Sequence, residues 1–238
     1  AADAARAAEL SRTDLTTAMV FEFPELQGTM GRIYAADVDG ESDSVSAAIE
    51  ELYMPRGADD DLPARLTGAL LSVADKLDTI CGCCAVGFAP TGSADPYALR
   101  RQTLGLLRIL IAHDLRVDLD ALVARGLADV RDDVADETAE TIRELLHGRF
   151  ATLMKDAGIR YDVINAVMAP GWSDYTRTYR LAEEMNRLHD DETMRRACTI
   201  VERCTNITRG IDAAEGEPDT ERFEHELETA VWDAWNDV

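Results

Sequence analysis

The sequence predicts an all-α fold, and three observations lead to that prediction. Apolar residues recur at three- and four-residue spacing along almost the whole chain of 238 residues, which is typical of amphipathic helices. No stretch alternates apolar and polar residues for long enough to predict a strand. Gly, Pro and cap-forming residues divide the apolar stretches into segments of helical length.

The first half of the chain is expected to hold five helices. Three short ones are predicted over 15–19, 26–34 and 45–52, because their apolar residues share one helical face. An uninterrupted apolar stripe predicts a core helix over 64–84. Asp95 followed by Pro96 has the form of an N-cap and a first helical residue, which predicts a helix over 96–113.

The second half continues in the same way. A change of composition near 114–132 suggests two domains, 1–115 and 116–238, although helical layers can pack continuously across such a boundary. The remaining predicted helices are 118–128, 133–156, 161–169, 174–189, 191–213 and 219–236.

The charge balance limits the partners that the chain can have. It holds 46 acidic and 24 basic residues, for a net charge of −22, so its overall field should repel nucleic acids and anionic membranes. A polyanionic partner would therefore have to meet a local basic patch. All basic residues except Lys76 and Lys155 are arginines, which suit fixed bidentate contacts, although a GC-rich coding bias would produce the same composition.

Location and fragment status are also expectations from the sequence. No run of about 18 apolar residues and no signal-peptide pattern is found, so we expect a cytoplasmic protein without a membrane span. A chain that begins at Ala1 instead of Met is expected to be a fragment.

Most catalytic and metal-binding motifs have no counterpart in the sequence. The histidines are scattered singly, and no HExxH, GxSxG or Walker motif occurs. Five cysteines, three of them crowded at Cys81, Cys83 and Cys84, suit reduced thiols that fill a core, and the sequence does not decide whether they bind a metal.

Two constellations could support a site. Asp75 and Asp78 lie three residues apart beside the apolar stripe, which predicts a partly buried carboxylate or, alternatively, an ion pair to an arginine. The helix expected to begin at Pro96 would present free N–H groups next to Arg100 and Arg101, which suits phosphate binding. The alternative is a solvated or ion-paired helix surface.

The sequence also resembles a known family. The run from Val20 to Gly28, followed by Met30-Gly31, resembles the EFPELQG-x-MG segment of bacterial glycyl-tRNA synthetase beta subunits. The similarity covers about 5–113 and becomes weaker afterwards, over 143–150, 161–164 and 206–207. Its later segments, in the same order as in the family, are Tyr53–Arg56, Ala74–Thr79, Gly87, Pro90–Ser93, Asp95-Pro96, Ala98–Arg101, Leu104-Gly105 and Leu107–Ile109.

The resemblance implies an HD-like helical domain over 1–115, followed by a helical connector over 116–238, with the anticodon-binding domain absent. Enzymatic HD domains hold a metal with a His, His-Asp, Asp set. Here Glu25-Leu26-Gln27 stands where a His-Asp pair would lie, and only Asp75 resembles a ligand. The resemblance therefore implies a degenerate metal site, with neither a bound metal nor a catalytic residue in this chain.

It further implies a role in ATP-dependent attachment of glycine to tRNA(Gly), through tRNA contact and scaffolding. The expected partners are the alpha subunit and tRNA(Gly), without DNA or membrane. ATP and Mg²⁺ are expected for the complete enzyme, and no cofactor is expected for the fragment. The candidate phosphate contacts are Arg100, Arg101, Arg108 and Lys76.

Two other functions remain open at this stage. One is a metal-dependent phosphohydrolase that uses Asp75, Asp78 and Glu25, and the other is a purely architectural helical module.

Overall fold

The computed structural model describes residues 2–130, 136–210 and 218–236, and the all-α prediction is confirmed there. These ranges contain no β-strand, and Thr91 and Ala94 form an isolated bridge. Their α-helices are α1 (Ala2–Leu10), α2 (Ala18–Glu22), α3 (Thr29–Ile33), α4 (Asp43–Glu51), α5 (Leu66–Ala85), α6 (Leu99–Ala112), α7 (Leu119–Val130), α8 (Asp136–Asp156), α9 (Tyr161–Met168), α10 (Tyr175–Leu188), α11 (Glu192–Ile207) and α12 (Glu226–Asn236). None of these helices is long and apolar enough to cross a membrane.

The predicted boundary at residue 115 falls inside a continuous core. The chain divides into two compact units at a later position, Ala1–His189 and Asp190–Val238. In the first unit, one apolar cluster extends from Ala69 on α5 to Ala182 on α10 and includes buried residues of α6, α7, α8 and α9. The packing therefore continues across 115, as the sequence analysis allowed, because α5 and α6 bury one face against the helices that follow them.

A second apolar cluster lies at the N-terminal end of the first unit. It joins Ala7 on α1 and Ala48 and Ile49 on α4 to Leu71 on α5. Because α5 contributes to both clusters, it is the central helix of the unit, in agreement with the apolar stripe predicted over 64–84.

The N-terminal segments are shorter than the sequence suggests. The helix predicted over 15–19 is divided into a 3-10 turn, Thr13–Thr16, and α2, whose N-cap Thr17 accepts a hydrogen bond from the Val20 N–H. α1 was not predicted from the sequence. The helix predicted over 26–34 is a 3-10 turn, Pro24–Leu26, followed by α3 and a π-helical turn, Tyr34–Val38.

Two glycines allow these short segments to pack tightly. Gly28 has a φ of 83°, and a Cβ there would lie 2.7 Å from the Tyr53 ring. A Cβ at Gly31 would lie 2.7 Å from Ile49, at the face where α3 meets α4. A side chain at either position would force the neighbouring groups apart, which explains glycine at both.

The second unit comprises α11 and α12 with a 3-10 turn at Thr220–Arg222. The helix predicted over 191–213 corresponds to α11, which ends at Ile207. Residues 211–213 of that prediction, and 133–135 of the helix predicted over 133–156, lie outside the described ranges. A groove of about 540 Å³ runs along α12. It is lined by Pro218, Phe223, Leu227, Glu228, Val231, Trp232 and Trp235.

The cysteines should differ strongly in reactivity. Cys81 and Cys84 are buried on α5, whereas Cys198 and Cys204 are exposed on α11. Burial raises the pKa of Cys81 to about 12 and that of Cys84 to about 11, and the reactive form of a thiol is the thiolate. At pH 8, DTNB should therefore modify Cys198 and Cys204 in the native protein, and Cys81 and Cys84 only in urea. Modification of Cys81 and Cys84 in the native protein at the rate of Cys198 and Cys204 would contradict this packing.

Candidate functional site: an arginine-lined cavity

Five separate stretches of the first unit line a cavity of about 420 Å³. They are the start of the first 3-10 turn, the residue before Gly28, the segment that follows α4, and the facing sides of α5 and α6. The lining residues are Arg12, Leu15, Gln27, Leu52, Tyr53, Pro55, Arg56, Asp75, Lys76, Ala98, Arg101 and Gln102.

The cavity reverses the charge of the molecule locally. Three arginines and one lysine line it, against a single carboxylate, in a chain whose net charge is −22. Low-dielectric walls strengthen such a field compared with an open surface. This is the kind of local basic patch that a polyanionic partner requires.

Arg12 and Asp75 form an ion pair at one side of the cavity. Arg12 Nη2 lies 2.6 Å from Asp75 Oδ1, and the Asp75 side chain is 19% exposed. Burial raises the pKa of the Asp75 carboxyl, and the Arg12 guanidinium opposes this rise. The pair is nearly neutral as a unit, so it leaves the charge of the other basic residues uncompensated.

Arg56 is held in place by the loop before α3. Its guanidinium donates hydrogen bonds to the carbonyl oxygens of Glu25 and Gln27, and it lies over the Tyr53 ring at 5.9 Å from the ring centroid. Carbonyl oxygens do not cancel its charge. The exposed guanidinium is therefore fixed in position and can still attract an anion.

Lys76 lies at the floor of the cavity and is only 2% exposed. Its Nζ donates to the Met54 carbonyl oxygen and to Ser72 Oγ, both at 2.9 Å. Burial lowers the pKa of Lys76 to about 8, while the charge of Asp75 opposes this shift. Lys76 is thus mostly protonated at neutral pH, and an anion in the cavity would favour its charged form.

Arg101 stands on the first turn of α6 and is exposed. No ion pair or hydrogen bond of its side chain is found within the part of the chain that the structure describes. Its five N–H groups are available to a ligand, unlike those of most arginines in this unit.

Comparison with known proteins identifies the family. A family model described as glycyl-tRNA synthetase beta subunit matches residues 1–169 of the chain. The chain belongs to this family.

Curated relatives agree with the match. The glycine-tRNA ligase beta subunit of Clostridioides difficile (strain 630) is 44% identical over 209 residues, covering 87% of this chain and 30% of the relative. Those of Syntrophotalea carbinolica and Geobacter sulfurreducens are 39% and 40% identical, covering 98% and 100% of this chain and 34% of each relative. The chain therefore spans 30% to 34% of the length of these beta subunits.

Three segments that resemble the glycyl-tRNA synthetase beta subunit meet at the cavity. Tyr53–Arg56, Ala74–Thr79 and Ala98–Arg101 each contribute lining residues. Lys76 and Arg101, two of the candidate phosphate contacts, are thus brought together. Arg12 and Arg56 were not among the candidate residues predicted from the sequence. Arg56 could have been found, because it ends the Tyr53–Arg56 motif, whereas no motif lies near Arg12.

Arg100 and Arg108, the other two candidates, lie outside the cavity lining and bind backbone carbonyls. Arg100 donates to the Gly92 oxygen at 2.7 Å and the Ala94 oxygen at 3.4 Å, which fastens the loop before α6. Arg108 donates to the carbonyl oxygens of Gly57, Ala58 and Asp60. Phosphate contact by all four candidate residues stays a prediction, and for these two it would compete with the loop contacts.

The start of the α6 helix was predicted wrongly. α6 begins at Leu99, because Ala98 has a φ of 54° and interrupts a helix that would begin at Pro96. The Asp95 carboxylate accepts hydrogen bonds from the N–H groups of Leu99 and Arg100, at 2.7 and 3.0 Å. A carboxylate of the chain itself therefore occupies the N–H groups that were expected to be free for a phosphate.

The three carboxylates considered for a metal do not form a common site. Asp75 is paired with Arg12, Asp78 is exposed, and Glu25 lies in the turn before α3 and does not line the cavity. Within 2–130, 136–210 and 218–236, no three His, Cys, Asp or Glu residues are arranged to hold a metal ion. The ion pair that the sequence analysis offered as the alternative for Asp75 is present. The assignment of Asp75 as a remnant of a metal site stays a prediction.

Proposed function

We propose that this chain is a tRNA-contacting and scaffolding part of a glycine-tRNA ligase beta subunit. The observation that carries the proposal is the cavity with an excess of basic side chains in a strongly acidic chain. Positive charge that is fixed in one place attracts RNA phosphates and leaves the rest of the surface repulsive, so it restricts where the RNA can bind. Membership of the beta-subunit family makes tRNA(Gly) the expected RNA.

In this proposal the chemistry takes place elsewhere in the complete enzyme. The alpha subunit is the expected partner, and ATP and Mg²⁺ serve the attachment of glycine to tRNA(Gly) there. This chain supplies binding energy and scaffolding and no catalytic residue. A cytoplasmic location follows from that role and is part of the proposal.

Arg101→Ala in the complete ligase should lower the affinity for tRNA and should make that affinity less dependent on salt concentration. Loss of one phosphate contact lowers the magnitude of the slope of log K against log salt by roughly 0.7 to 0.9. The measurement is a set of tRNA(Gly) binding titrations at several salt concentrations. Arg100→Ala, measured in parallel, should change the slope much less, because Arg100 lies outside the cavity lining and its guanidinium binds the loop before α6.

Arg125→Ala is the matched control. It removes the same charge from an exposed arginine that pairs with Asp129 on its own helix and does not line the cavity. If Arg101→Ala behaves like Arg125→Ala at low and moderate salt, the cavity does not contact tRNA. The architectural module would then be the better description of this chain.

A further inference from the structure

The shape of the cavity limits the part of an RNA that can enter it. Its volume of about 420 Å³ lies in the range of small-ligand pockets, which is roughly 300 to 1,000 Å³. Leu52, Pro55 and Lys76, all buried, close its floor. A double helix is too wide to reach this floor, whereas a single nucleotide or a chain end can enter.

The charge of the cavity indicates what the entering group carries. The Arg12–Asp75 pair is nearly neutral, so the uncompensated positive charges belong to Arg56, Arg101 and Lys76. A phosphodiester within an RNA strand has one negative charge. A phosphate monoester has between −1.5 and −2 at pH 7, because its second pKa is about 6. A phosphate monoester therefore neutralises more of the positive charge of Arg56, Arg101 and Lys76 than a phosphodiester does.

The positions of these groups suit a phosphate that points inward. Arg101 has no partner for its side chain in the described ranges, and Arg56 is fixed over Tyr53. Both guanidiniums are exposed, while Lys76 lies at the floor. Gln27 and Gln102 also line the cavity, and an amide side chain can donate and accept hydrogen bonds to the sugar or base of the same nucleotide.

We propose that the cavity binds a phosphate monoester, either at the 5′ end of an RNA or on a free mononucleotide, through Arg101, Arg56 and Lys76. For the RNA source this rests on the proposed function and specifies the part of the RNA that is bound. No bond is formed or broken. The cavity distinguishes a terminal phosphate from an internal one by charge and by access to its floor.

The test compares tRNA(Gly) carrying a 5′-monophosphate with tRNA(Gly) carrying a 5′-hydroxyl, both titrated onto the complete ligase. The wild-type enzyme should bind the phosphorylated tRNA about tenfold more tightly, the magnitude of one strong charge-assisted contact. Arg101→Ala should reduce the preference to about twofold, and Arg125→Ala should keep it.

A second arm separates the two sources of the phosphate. Guanosine 5′-monophosphate and guanosine are each added as competitors of the 5′-phosphorylated tRNA. Competition by the monophosphate alone, lost in Arg101→Ala, would show that a free mononucleotide also enters the cavity. Without such competition, a preference for 5′-phosphorylated tRNA that is lost in Arg101→Ala would assign the cavity to the RNA end.

Two results would overturn the inference. In the first, the wild-type enzyme binds both tRNAs equally and the monophosphate competes no better than guanosine. In the second, Arg101→Ala keeps the full preference, so that the phosphate is recognised elsewhere. If Arg101→Ala weakens both tRNAs by the same factor, tRNA contact at the cavity stands and only the monoester is rejected. If it weakens neither, the proposed function fails as well.

Discussion

Replacing Asp14 with alanine is expected to lower the free energy of unfolding of the first unit by about 2 to 4 kcal/mol. Asp14 is 2% exposed. Its Oδ2 accepts a hydrogen bond from the Gly28 N–H at 2.6 Å, and its Oδ1 accepts one from the Tyr53 hydroxyl at 2.8 Å. Alanine would leave both donors without their carboxylate acceptor, and an unsatisfied buried donor costs about 1 to 3 kcal/mol.

The same substitution should also weaken the candidate site. Asp14 does not line the cavity, but it fixes Tyr53, over whose ring the Arg56 guanidinium lies. Loss of the Tyr53 hydrogen bond would release both side chains from their fixed positions. We therefore expect weaker tRNA binding by Asp14→Ala in the complete ligase under conditions where the variant is still folded.

The loss of stability in Asp14→Ala is measured by urea unfolding, with the fluorescence of Trp172 as the signal. Trp172 is the one tryptophan of the first unit, so Trp232 and Trp235 are first replaced with phenylalanine. Tyr53→Phe should cost only about 1 kcal/mol, because it removes one hydrogen bond and leaves Asp14 its other partner. Asp78→Ala, at an exposed aspartate of α5, should change stability by less than about 0.5 kcal/mol. Equal stabilities for Asp14→Ala and Asp78→Ala would contradict the buried network.

The long helices could be predicted from the sequence, and the starts of α5, α7, α9, α10 and α11 lie within two residues of the predicted positions, whereas the start of α6 could not be predicted. The core helix predicted over 64–84 is α5, Leu66–Ala85, because a 20-residue apolar stripe leaves little freedom in its assignment. The start of α6 was missed because its cap comes from Asp95, four residues before Leu99, across a left-handed Ala98. Such a cap depends on loop geometry that hydrophobic periodicity does not encode.

The candidate site could be predicted only in part for a similar reason. Nothing in the sequence distinguishes Arg100 from Arg101 as a phosphate contact, but successive residues of a helix point in directions about 100° apart. One therefore fastens a loop and the other lines the cavity. Arg12 and Arg56 reach the cavity through packing between segments that are 44 residues apart in the chain, which local motifs do not reveal.

Replacing Phe150 with alanine should destabilise the first unit by about 3 to 5 kcal/mol. Phe150 on α8 is 1% exposed, and its ring meets the Tyr175 ring edge-on, with 4.9 Å between centroids. It belongs to the apolar cluster that begins on α5, so the cavity left by alanine would lie in a core shared with the helices before residue 115. The effect should therefore extend beyond α8.

Hydrogen exchange shows how far the destabilisation extends. If residues 2–189 unfold as one cooperative unit, Phe150→Ala should lower the protection of α4 and α5 amides as much as that of α8 amides. Leu181→Ala, on the exposed side of α10, is the control and should leave the protection of the α4, α5 and α8 amides nearly unchanged. The decisive helix is α4, because it belongs to the other apolar cluster. Wild-type protection of both α4 and α5 would mean that 1–115 folds separately, as the sequence suggested. Reduced protection of both would mean that the arginine-lined cavity, which lies between the segment after α4 and helices α5 and α6, depends on the helices beyond 115.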